Sequence, residues 1–324
     1  MSSQGRPLST GRSRSPLFPG GLTARTESVG VKGRERIGGG RYRLLSTLGL
    51  GGFGEVFLAE GPQGLVAVKA VETAGWSRRE YKVFNALLVS EASFLSTLSH
   101  PALPKLREFF AESTRYFLVM DWVSGQTLEE AVLCHGAFSF EEAFRLLDQL
   151  LGALEYLHDE CSPSVIFGDL KPANVLRTKD GQFRLVDLGL VTREGSSLTG
   201  DFAVYSPPYS APERAKGQPG SKRHDVYSLA ATLLFVLTGH PPGVEQAQVT
   251  LRARLAKEVF DETRRHRAEQ LLTVLIACLE SEAAARPANL LPLRSSWKRW
   301  SDSRPRQSEA GGDILRGLYN EQSD

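Results

Sequence analysis

Two groups of residues, far apart in the chain, carry the kinds of groups that handle phosphate. The first is the glycine-rich run of residues 49–56, which is followed by Lys69. Glycines allow backbone amides to approach phosphate oxygens closely, and a lysine can pair with those oxygens. The second group consists of Asp169, Lys171, Asn174 and Asp187. Carboxylate and amide oxygens can bind a hard cation, and an ammonium group can offset negative charge while a phosphoryl group passes between oxygens.

The glycine run alone is a weak signal. The pattern Gly-x-Gly-x-x-Gly also marks dinucleotide-binding units, where it lies between a strand and a helix. Here the apolar residues predict a strand on each side, over residues 42–48 and 55–59. This context argues against a dinucleotide site. Lys69 lies near the end of a third predicted strand, 65–71, and in isolation it would be interpreted as a solvent-facing strand residue.

The remaining elements follow from hydrophobic periodicity. Residues 117–122 and 183–186 have the composition of strands, and helices are predicted over residues 90–98, from Ser139 onward and over 225–237. Ser139 and the glutamate three residues later form a capping box. Strands dominate the first part of the chain and helices the second. This order predicts an α+β fold with a small β-rich lobe, a larger helical lobe and a cleft between them.

Taken in chain order, the glycine run, Lys69 and the second polar group resemble the signature motifs of the protein kinases. The matching stretches are the glycine run at 49–56, Val-Ala-Val-Lys at 66–69, Asp-Leu-Lys-Pro-Ala-Asn at 169–174, Asp-Leu-Gly at 187–189 and Ala-Pro-Glu at 211–213. The resemblance is to the eukaryotic-like Ser/Thr protein kinases common in bacteria, and it covers about residues 41–300. It implies a bilobal kinase fold, with an N-lobe at about 41–120 and a C-lobe at about 124–300.

The resemblance implies that ATP and Mg²⁺ are the cofactors. Val56 and Ala67 would enclose the adenine, and Lys69 would bind the α- and β-phosphates. Glu91 is the expected carboxylate partner of Lys69, and Glu80 is a weaker alternative. The full implied nucleotide-binding set is Gly49, Gly51, Gly52, Gly54, Val56, Ala67, Lys69, Glu91, Met120, Asp121 and Val123.

The segment around residue 120 resembles the strand that leads into the hinge between the two kinase lobes. Met120 would then be the gatekeeper residue. The backbone of Asp121 and Val123 would bond the edge of the adenine. This assignment depends on the register of a single strand.

The catalytic roles are implied by the same resemblance. Asp169 would orient the acceptor hydroxyl and accept its proton, and Lys171 would neutralise charge on the transferred phosphate. Asn174 would complete the catalytic set, and together with Asp187 it would ligate Mg²⁺. A lysine followed by a proline at this place is typical of Ser/Thr kinases rather than tyrosine kinases.

Four further positions match structural parts of the family. Ser206 stands seven residues before Glu213, where Ser/Thr kinases normally have a threonine. Arg286 is the expected buried partner of Glu213. Asp225 matches the aspartate that bonds the backbone of the catalytic loop.

The catalytic loop departs from the family pattern. It reads Phe167-Gly168-Asp169 where kinases usually have His-Arg-Asp, so the arginine that grips a phosphorylated activation loop is missing. We therefore predict that activity does not require phosphorylation of that loop, even if Ser196, Ser197 or Thr199 is modified.

Two other substitutions have consequences. Phe167 and Leu188 are expected to join Leu95 and Leu106 in an apolar column that links the lobes. Ala173 stands where many arginine-directed kinases have a glutamate, which disfavours a strong preference for basic substrates.

Three alternatives remain beside a protein kinase that phosphorylates Ser or Thr in a protein substrate. The first is a pseudokinase, an ATP-binding scaffold or interaction module that keeps the fold without turnover; the altered catalytic loop favours it and the retained polar residues disfavour it. The second is a kinase of small molecules, disfavoured because residues 206–213 resemble a peptide-docking segment. Nucleic-acid binding by the basic N-terminal tail has only charge in its favour.

Composition and charge limit the classes of protein to which this chain can belong. The net charge is +2, and the three cysteines have no disulfide or zinc spacing, which indicates a reducing compartment. No apolar run is long enough to cross a bilayer. Residues 1–40, rich in Gly, Ser, Pro and Arg, and the polar residues 301–324 are predicted to be disordered tails. We expect a cytoplasmic protein, with organelle import through the N-terminus as the alternative. The oligomeric state is not encoded in any pattern we recognise.

Overall fold

The computed structural model describes residues 35–51, 54–74, 89, 92–187, 191–196, 206–243, 245–259 and 261–302. Its N-terminal part is a six-stranded antiparallel sheet with the order β1-β2-β3-β4-β6-β5. The strands are β1 (Arg36–Ile37), β2 (Tyr42–Gly51), β3 (Gly54–Gly61), β4 (Gly64–Glu72), β5 (Leu106–Glu112) and β6 (Arg115–Asp121). The strands predicted around the glycine run and before the hinge are therefore present, each slightly longer than its apolar core.

Alternation of apolar and polar residues explains how this sheet forms. Leu44, Phe57, Val68 and Phe117 are each at most 2% exposed and pack into one cluster on a single face. Residues of neighbouring strands lie opposite one another, as in the pair Phe57 and Val68. Because side chains alternate across a strand, this register buries one apolar face of the sheet.

Side chains bridge the two edges of the sheet, β1 with its following turn on one side and β5 with β6 on the other. Glu35 forms an ion pair with Arg115, and Glu112 accepts a hydrogen bond of 2.6 Å from the backbone N–H of Gly38. Tyr42 donates a hydrogen bond of 2.6 Å to Glu108. The sheet is therefore strongly curled, with its first and last strands held together.

This bridge corrects the predicted N-terminal boundary. Residues 35–40 were assigned to a disordered tail of 1–40, yet Arg36 and Ile37 pair with β2 and Ile37 is 2% exposed. The segment is mostly Gly and Arg, but its one buried apolar residue, Ile37, packs into the core of the sheet. The rest of that predicted tail, and residues 303–324 of the C-terminal one, lie outside the described residues.

The C-terminal part is mainly helical, which confirms the predicted two-lobed α+β architecture. Its helices are α1 (Leu128–His135), α2 (Phe140–Glu155), α3 (Lys222–Thr238), α4 (Glu245–Glu258), α5 (Glu262–Ala277) and α6 (Leu291–Ser301). Short strands also occur in this part: β7 (Gly125–Thr127), β8 (Val165–Ile166), β9 (Val175–Thr178), β10 (Phe183–Leu185) and β11 (Thr192–Arg193). Sheets with the orders β10-β9-β7 and β11-β8 result. None of the helices in the described ranges is long and apolar enough to span a membrane.

Helix α2 shows how local sequence sets an element. Ser139 caps it by accepting a hydrogen bond of 3.2 Å from the N–H of Glu142. The predicted capping box also requires the Glu142 carboxylate to accept a hydrogen bond from the Ser139 N–H. The carboxylate instead pairs with Arg177 at 2.6 Å. The apolar stripe of the helix, including Phe144 and Leu147, is fully buried.

Helix α3 is the buried centre of the lobe. It begins at Lys222, three residues before the predicted start, because Ser221 and His224 form the cap of its first turn. It ends at Thr238, where Gly239 takes the left-handed conformation with φ 73°. Fourteen of its residues are buried, so it is a core helix with apolar contacts on all sides.

One apolar cluster joins the two lobes. Leu95, from the helical turn of residues 92–95, and Phe167 are buried in the same cluster, and Leu106 packs against it. These are three of the four members of the predicted apolar column. The fourth, Leu188, lies outside the described residues, as do residues 90 and 91 of the predicted helix 90–98.

Candidate active site

The pairing of β2, β3, β4 and β6 places the predicted nucleotide-binding residues side by side. Val56 lies opposite Gly49 on one side and opposite Lys69 on the other. Ala67 lies opposite Met120. These residues come from four strands, yet the antiparallel register collects them on neighbouring positions. Gly52 and Glu91, also in the predicted set, lie outside the described residues.

Gly54 is a position where only glycine fits. Its φ is 140°, and a Cβ atom added there would lie 2.1 Å from the carbonyl oxygen of Ala70. Gly54 pairs with Gly51 at the point where the chain leaves the loop and begins β3. The close approach of β3 to β4 therefore requires a residue without a side chain.

The end of β6 has the features expected of a hinge strand. Met120 is 6% exposed and faces the interior. The N–H of Asp121 donates to the carbonyl of Lys105 at 3.0 Å, so a contact between Asp121 and a nucleotide would have to use its carbonyl group. Val123 follows in the half-buried link between β6 and β7.

Lys69 and Asp187 meet across the cleft. The Lys69 Nζ lies 2.8 Å from Asp187 Oδ1, and Lys69 is 6% exposed. Asp187 has φ 61°, a left-handed conformation that is uncommon for residues with a side chain. Just before it, the N–H of Val186 donates to the Asn174 carbonyl at 2.9 Å. This bond fixes the segment that carries Asp187 beside the catalytic loop.

The catalytic loop gathers three of the predicted residues into one network. Lys171 Nζ lies 2.8 Å from Asp169 Oδ2 and donates a hydrogen bond of 3.0 Å to Ser206 Oγ. The Asn174 side-chain amide donates to the Asp169 carbonyl at 2.9 Å and to its Oδ2 at 3.0 Å. Asp169 and Asn174 are nearly buried, at 6% and 7% exposed. The network holds the Asp169 carboxylate in one orientation.

Asp225 anchors this loop from helix α3. Its carboxylate, 0% exposed, accepts hydrogen bonds from the backbone N–H groups of Phe167 at 2.8 Å and Gly168 at 2.9 Å. The structure thus shows the backbone bonds expected for Asp225. Gly168 has φ 81°, which glycine adopts without strain and an arginine would not.

A second buried ion pair fixes Glu213, in the stretch 211–213 that resembles the end of the kinase activation segment, the chain that runs from Asp187 to Glu213. Glu213 pairs with Arg286 as expected, and Arg286 also donates to the Arg223 carbonyl at 3.0 Å. His224 Nε2 lies 3.2 Å from the other Glu213 oxygen. Burial raises the pKa of the Glu213 carboxyl, but its contacts with His224 and Arg286 outweigh burial and bring the pKa to about 2. Glu213 is therefore an anion at neutral pH.

The donor set fits Mg²⁺ bound together with a nucleotide. Asn174 and Asp187 supply an amide and a carboxylate oxygen, and their chain segments are joined by the Val186 bond. Mg²⁺ typically takes one or two protein oxygens and completes its shell with phosphates and water. Within the described residues no cluster of three His, Cys, Asp or Glu side chains forms an all-protein metal cage.

Two buried residues of this region, His158 and Arg214, are not among the predicted site residues. His158 is 2% exposed, and its Nε2 lies 2.8 Å from Asp225 Oδ2. Arg214 follows Glu213 directly and is 8% exposed. His158 lies in the turn Tyr156–Glu160 that follows α2, and a buried polar residue there needs a partner elsewhere in the fold. No comparable local signal identifies Arg214.

Comparison with known proteins identifies the family. The protein kinase domain model matches residues 42–297, which is most of the chain. The chain belongs to the protein kinase family. The six-stranded sheet is its N-lobe, and the helical part is its C-lobe.

Similar kinases come from several organisms. Serine/threonine-protein kinase C of Synechocystis sp. is 34% identical over 223 residues, which cover 62% of this chain and 40% of the relative. Serine/threonine-protein kinase PknA of Nostoc sp. is 33% identical over 222 residues, or 64% and 39% of the two chains. Calcium/calmodulin-dependent protein kinase type 1 of Macrobrachium nipponense is 30% identical over 227 residues, or 68% and 63%. The chain thus spans less than two thirds of the length of each of these relatives.

Proposed function

We propose that this chain is an ATP-dependent Ser/Thr protein kinase that transfers the γ-phosphate of ATP to a hydroxyl group of a protein. The observation that carries the proposal is the network of Asp169, Lys171, Asn174 and Ser206 close to the Lys69–Asp187 pair. Two relatives, both named as serine/threonine-protein kinases, support the same reaction.

The geometry suggests how these residues divide the work. Asp169 is held by Asn174 and Lys171, so its carboxylate is placed to orient an acceptor hydroxyl and to take its proton. Lys171 is placed to offset negative charge on the group being transferred, and Lys69 to hold the phosphates from the opposite lobe. Mg²⁺, held by Asn174 and Asp187, would supply further positive charge to the phosphates. Positioning and electrostatic stabilisation thus account for catalysis.

We also propose that activity is independent of activation-loop phosphorylation. Gly168 leaves no arginine at this position to grip a phosphate. The described part of the segment is instead held by backbone bonds: β11 pairs with β8, and Gly195 and Ser196 exchange hydrogen bonds of 2.8 and 2.9 Å with Gly220. These contacts form without any added charge.

The specific rival is a pseudokinase, favoured only by the change at Phe167 and Gly168. A usual histidine at position 167 has a structural role, and Phe167 is 1% exposed in the apolar cluster that joins the lobes. Phe167 therefore fills the structural position that the histidine usually fills. The five polar residues given a role in the transfer, Lys69, Asp169, Lys171, Asn174 and Asp187, are all present.

Transfer of labelled γ-phosphate from Mg-ATP to a generic Ser/Thr protein substrate tests the proposal. We expect wild-type protein to transfer phosphate and Asp169→Asn to lose at least about 100-fold in rate, because the base is removed while the fold is kept. Nucleotide binding by the variant serves as the control for folding. Wild-type protein that binds nucleotide without transferring phosphate would instead identify a pseudokinase.

A further inference from the structure

A cleft of about 430 Å³ is formed by three parts of the chain that are far apart in sequence. Phe94 belongs to the helical turn of residues 92–95, and Tyr156, Glu160 and Cys161 belong to the turn after α2 and to the residue that follows it. Arg193 of β11 completes this set. None of these residues has a role in the proposed transfer of phosphate. The volume lies in the range of small-molecule sites.

The aromatic part of the lining is held in place. Phe94 and Tyr156 are partly buried, and both pack against the apolar cluster that joins the lobes. The Tyr156 hydroxyl accepts a hydrogen bond of 2.8 Å from the N–H of Ser99, and its ring stacks on His100 with 5.2 Å between the centroids. The cleft therefore offers a fixed apolar surface to a ligand.

Two opposite charges belong to the same lining. Glu160 ends the turn Tyr156–Glu160, and Arg193 lies on β11, where its backbone pairs with Val165. Both residues are exposed, and within the described parts of the chain neither side chain forms an ion pair or a hydrogen bond. Asp159, the residue before Glu160, pairs with Lys222 at 2.7 Å. Glu160 and Arg193 are thus available to a ligand that carries both charges.

We propose that this cleft binds a small zwitterion of the amino-acid class, with its carboxylate on Arg193, its ammonium group on Glu160 and its apolar part against Phe94 and Tyr156. A ligand with a single charge would be attracted by one lining residue and repelled by the other. A bound zwitterion would tie β11 to the turn after α2. The binding itself does not depend on the proposed kinase function.

Cys161 allows the cleft to be tested with probes of defined charge. Its half-buried thiol belongs to the lining, and its N–H donates to the Tyr156 carbonyl at 3.1 Å. A symmetrical disulfide exchanges with this thiol: Cys161 Sγ bonds to one half of the probe, and the other half leaves as a thiol with the proton that Cys161 gave up. Because the probe is then tethered, even weak attraction becomes measurable.

Four probes differ in the charge that they leave on Cys161. Cystine leaves a zwitterion, cystamine a cation, dithiodiglycolate an anion and bis(2-hydroxyethyl) disulfide a neutral group. Burial raises the pKa of the Cys161 thiol, so exchange is slow and the adducts are compared at equilibrium.

Peptide mass spectrometry gives the equilibrium constant for exchange at Cys161. Dividing it by the constant for Cys134, an exposed thiol outside the lining, removes the intrinsic differences between the probes. We expect this ratio to be at least about threefold higher for cystine than for the neutral probe, because two partly exposed ion pairs form together. Cystamine and dithiodiglycolate should both fall below cystine.

Removing one charge at a time should change the order of the probes. In Arg193→Gln we expect cystamine to exceed dithiodiglycolate, since only Glu160 remains. In Glu160→Gln we expect the reverse. Glu258→Gln is the matched control, because it removes a carboxylate that pairs with Arg254 outside this lining, and it should keep the wild-type order.

Three results would overturn the site. They are a wild-type ratio for cystine no higher than for the other probes, an order that Arg193→Gln and Glu160→Gln leave unchanged, and the absence of any adduct at Cys161. The measurement is a mass and not a rate of phosphate transfer. An inactive wild-type protein would therefore overturn the proposed function and leave this inference standing.

Discussion

Buried charged residues are held by specific partners in this protein. Glu213, Asp225 and Asp169 are each at most 6% exposed, and each is bound by cations, backbone N–H groups or both. A buried carboxylate without such partners would take up a proton. The pairing of Glu213 with Arg286 and His224 therefore links the stability of the fold to pH.

Glu213 gives a pH prediction. Its pKa is about 2 in the folded protein and 4.5 in an unfolded chain, so the ionised form stabilises the fold above pH 4.5. This contribution, about 3 kcal/mol, is lost as the pH falls from 4.5 towards 2, because the unfolded state binds the proton first. We expect the difference in unfolding free energy between wild type and Glu213→Gln to shrink by about that amount across this window.

Denaturant titrations at a series of pH values measure this difference. Glu258→Gln is the control, since it removes a surface pair with Arg254 and should change the unfolding free energy by less than about 0.5 kcal/mol. A wild-type to Glu213→Gln difference that stays constant from pH 5 to pH 2 would contradict the assigned ionisation.

At this scale the sequence is informative where residues that act together are close in the chain. Asp169, Lys171 and Asn174 lie within six residues, so one short motif that resembles the kinase catalytic loop contains all three. His158 reaches the anchor of the same loop only through the fold, where its Nε2 lies 2.8 Å from Asp225 Oδ2. It resembles an ordinary surface histidine until its burial is known.

Among the elements, the pairing of β3 with β4 imposes the strictest local requirement. Gly54 stands where β3 begins, and a side chain there would collide with the Ala70 carbonyl. The ladder beyond it places Val56 opposite Lys69. A shift at Gly54 therefore moves the glycine run relative to Lys69.

We expect Gly54→Ala to raise the KM for ATP by about tenfold or more, because the nucleotide-binding backbone is displaced. Steady-state kinetics with varied ATP measure the effect. Gly152→Ala is the matched control: it lies in α2, where an added Cβ meets no atom within 4 Å, and it should leave the KM unchanged. Equal KM values for the two variants would show that the close approach at Gly54 is not needed for nucleotide binding.

Element types were predicted more reliably than element ends. The period of apolar residues revealed α2 and its Ser139 cap, but α3 begins at Lys222 because His224 completes a cap that apolar spacing does not show. Strand β1 was missed because two residues have no periodicity. It forms because its backbone pairs with the edge of β2 and because Ile37 is buried in the core of the sheet.

For the molecule as a whole, the question is what holds the activation segment in place. Backbone pairing of β11 with β8 and the exchange of bonds with Gly220 fix its described first part. The Glu213–Arg286 pair fixes its end. Both supports are present in the unmodified chain.

The triple variant Ser196→Ala, Ser197→Ala and Thr199→Ala should therefore keep at least about half of the wild-type kcat, since no phosphate-binding arginine stands at Gly168. Phosphatase-treated wild-type protein, assayed in parallel, shows whether a phosphate elsewhere is needed. Abolished transfer in the triple variant would mean that this loop is switched by modification after all.

The bridge between the edges of the N-terminal sheet has a consequence for biosynthesis. Its bonds join residues that are 66 to 80 positions apart, from Tyr42–Glu108 to Glu35–Arg115. A chain leaving the ribosome presents the first strands long before their partners exist. The N-lobe sheet therefore cannot form all of its bonds during the early part of translation. Until residue 115 emerges, its first strands offer unpaired edges, and this interval is when the nascent protein is most exposed to faulty association.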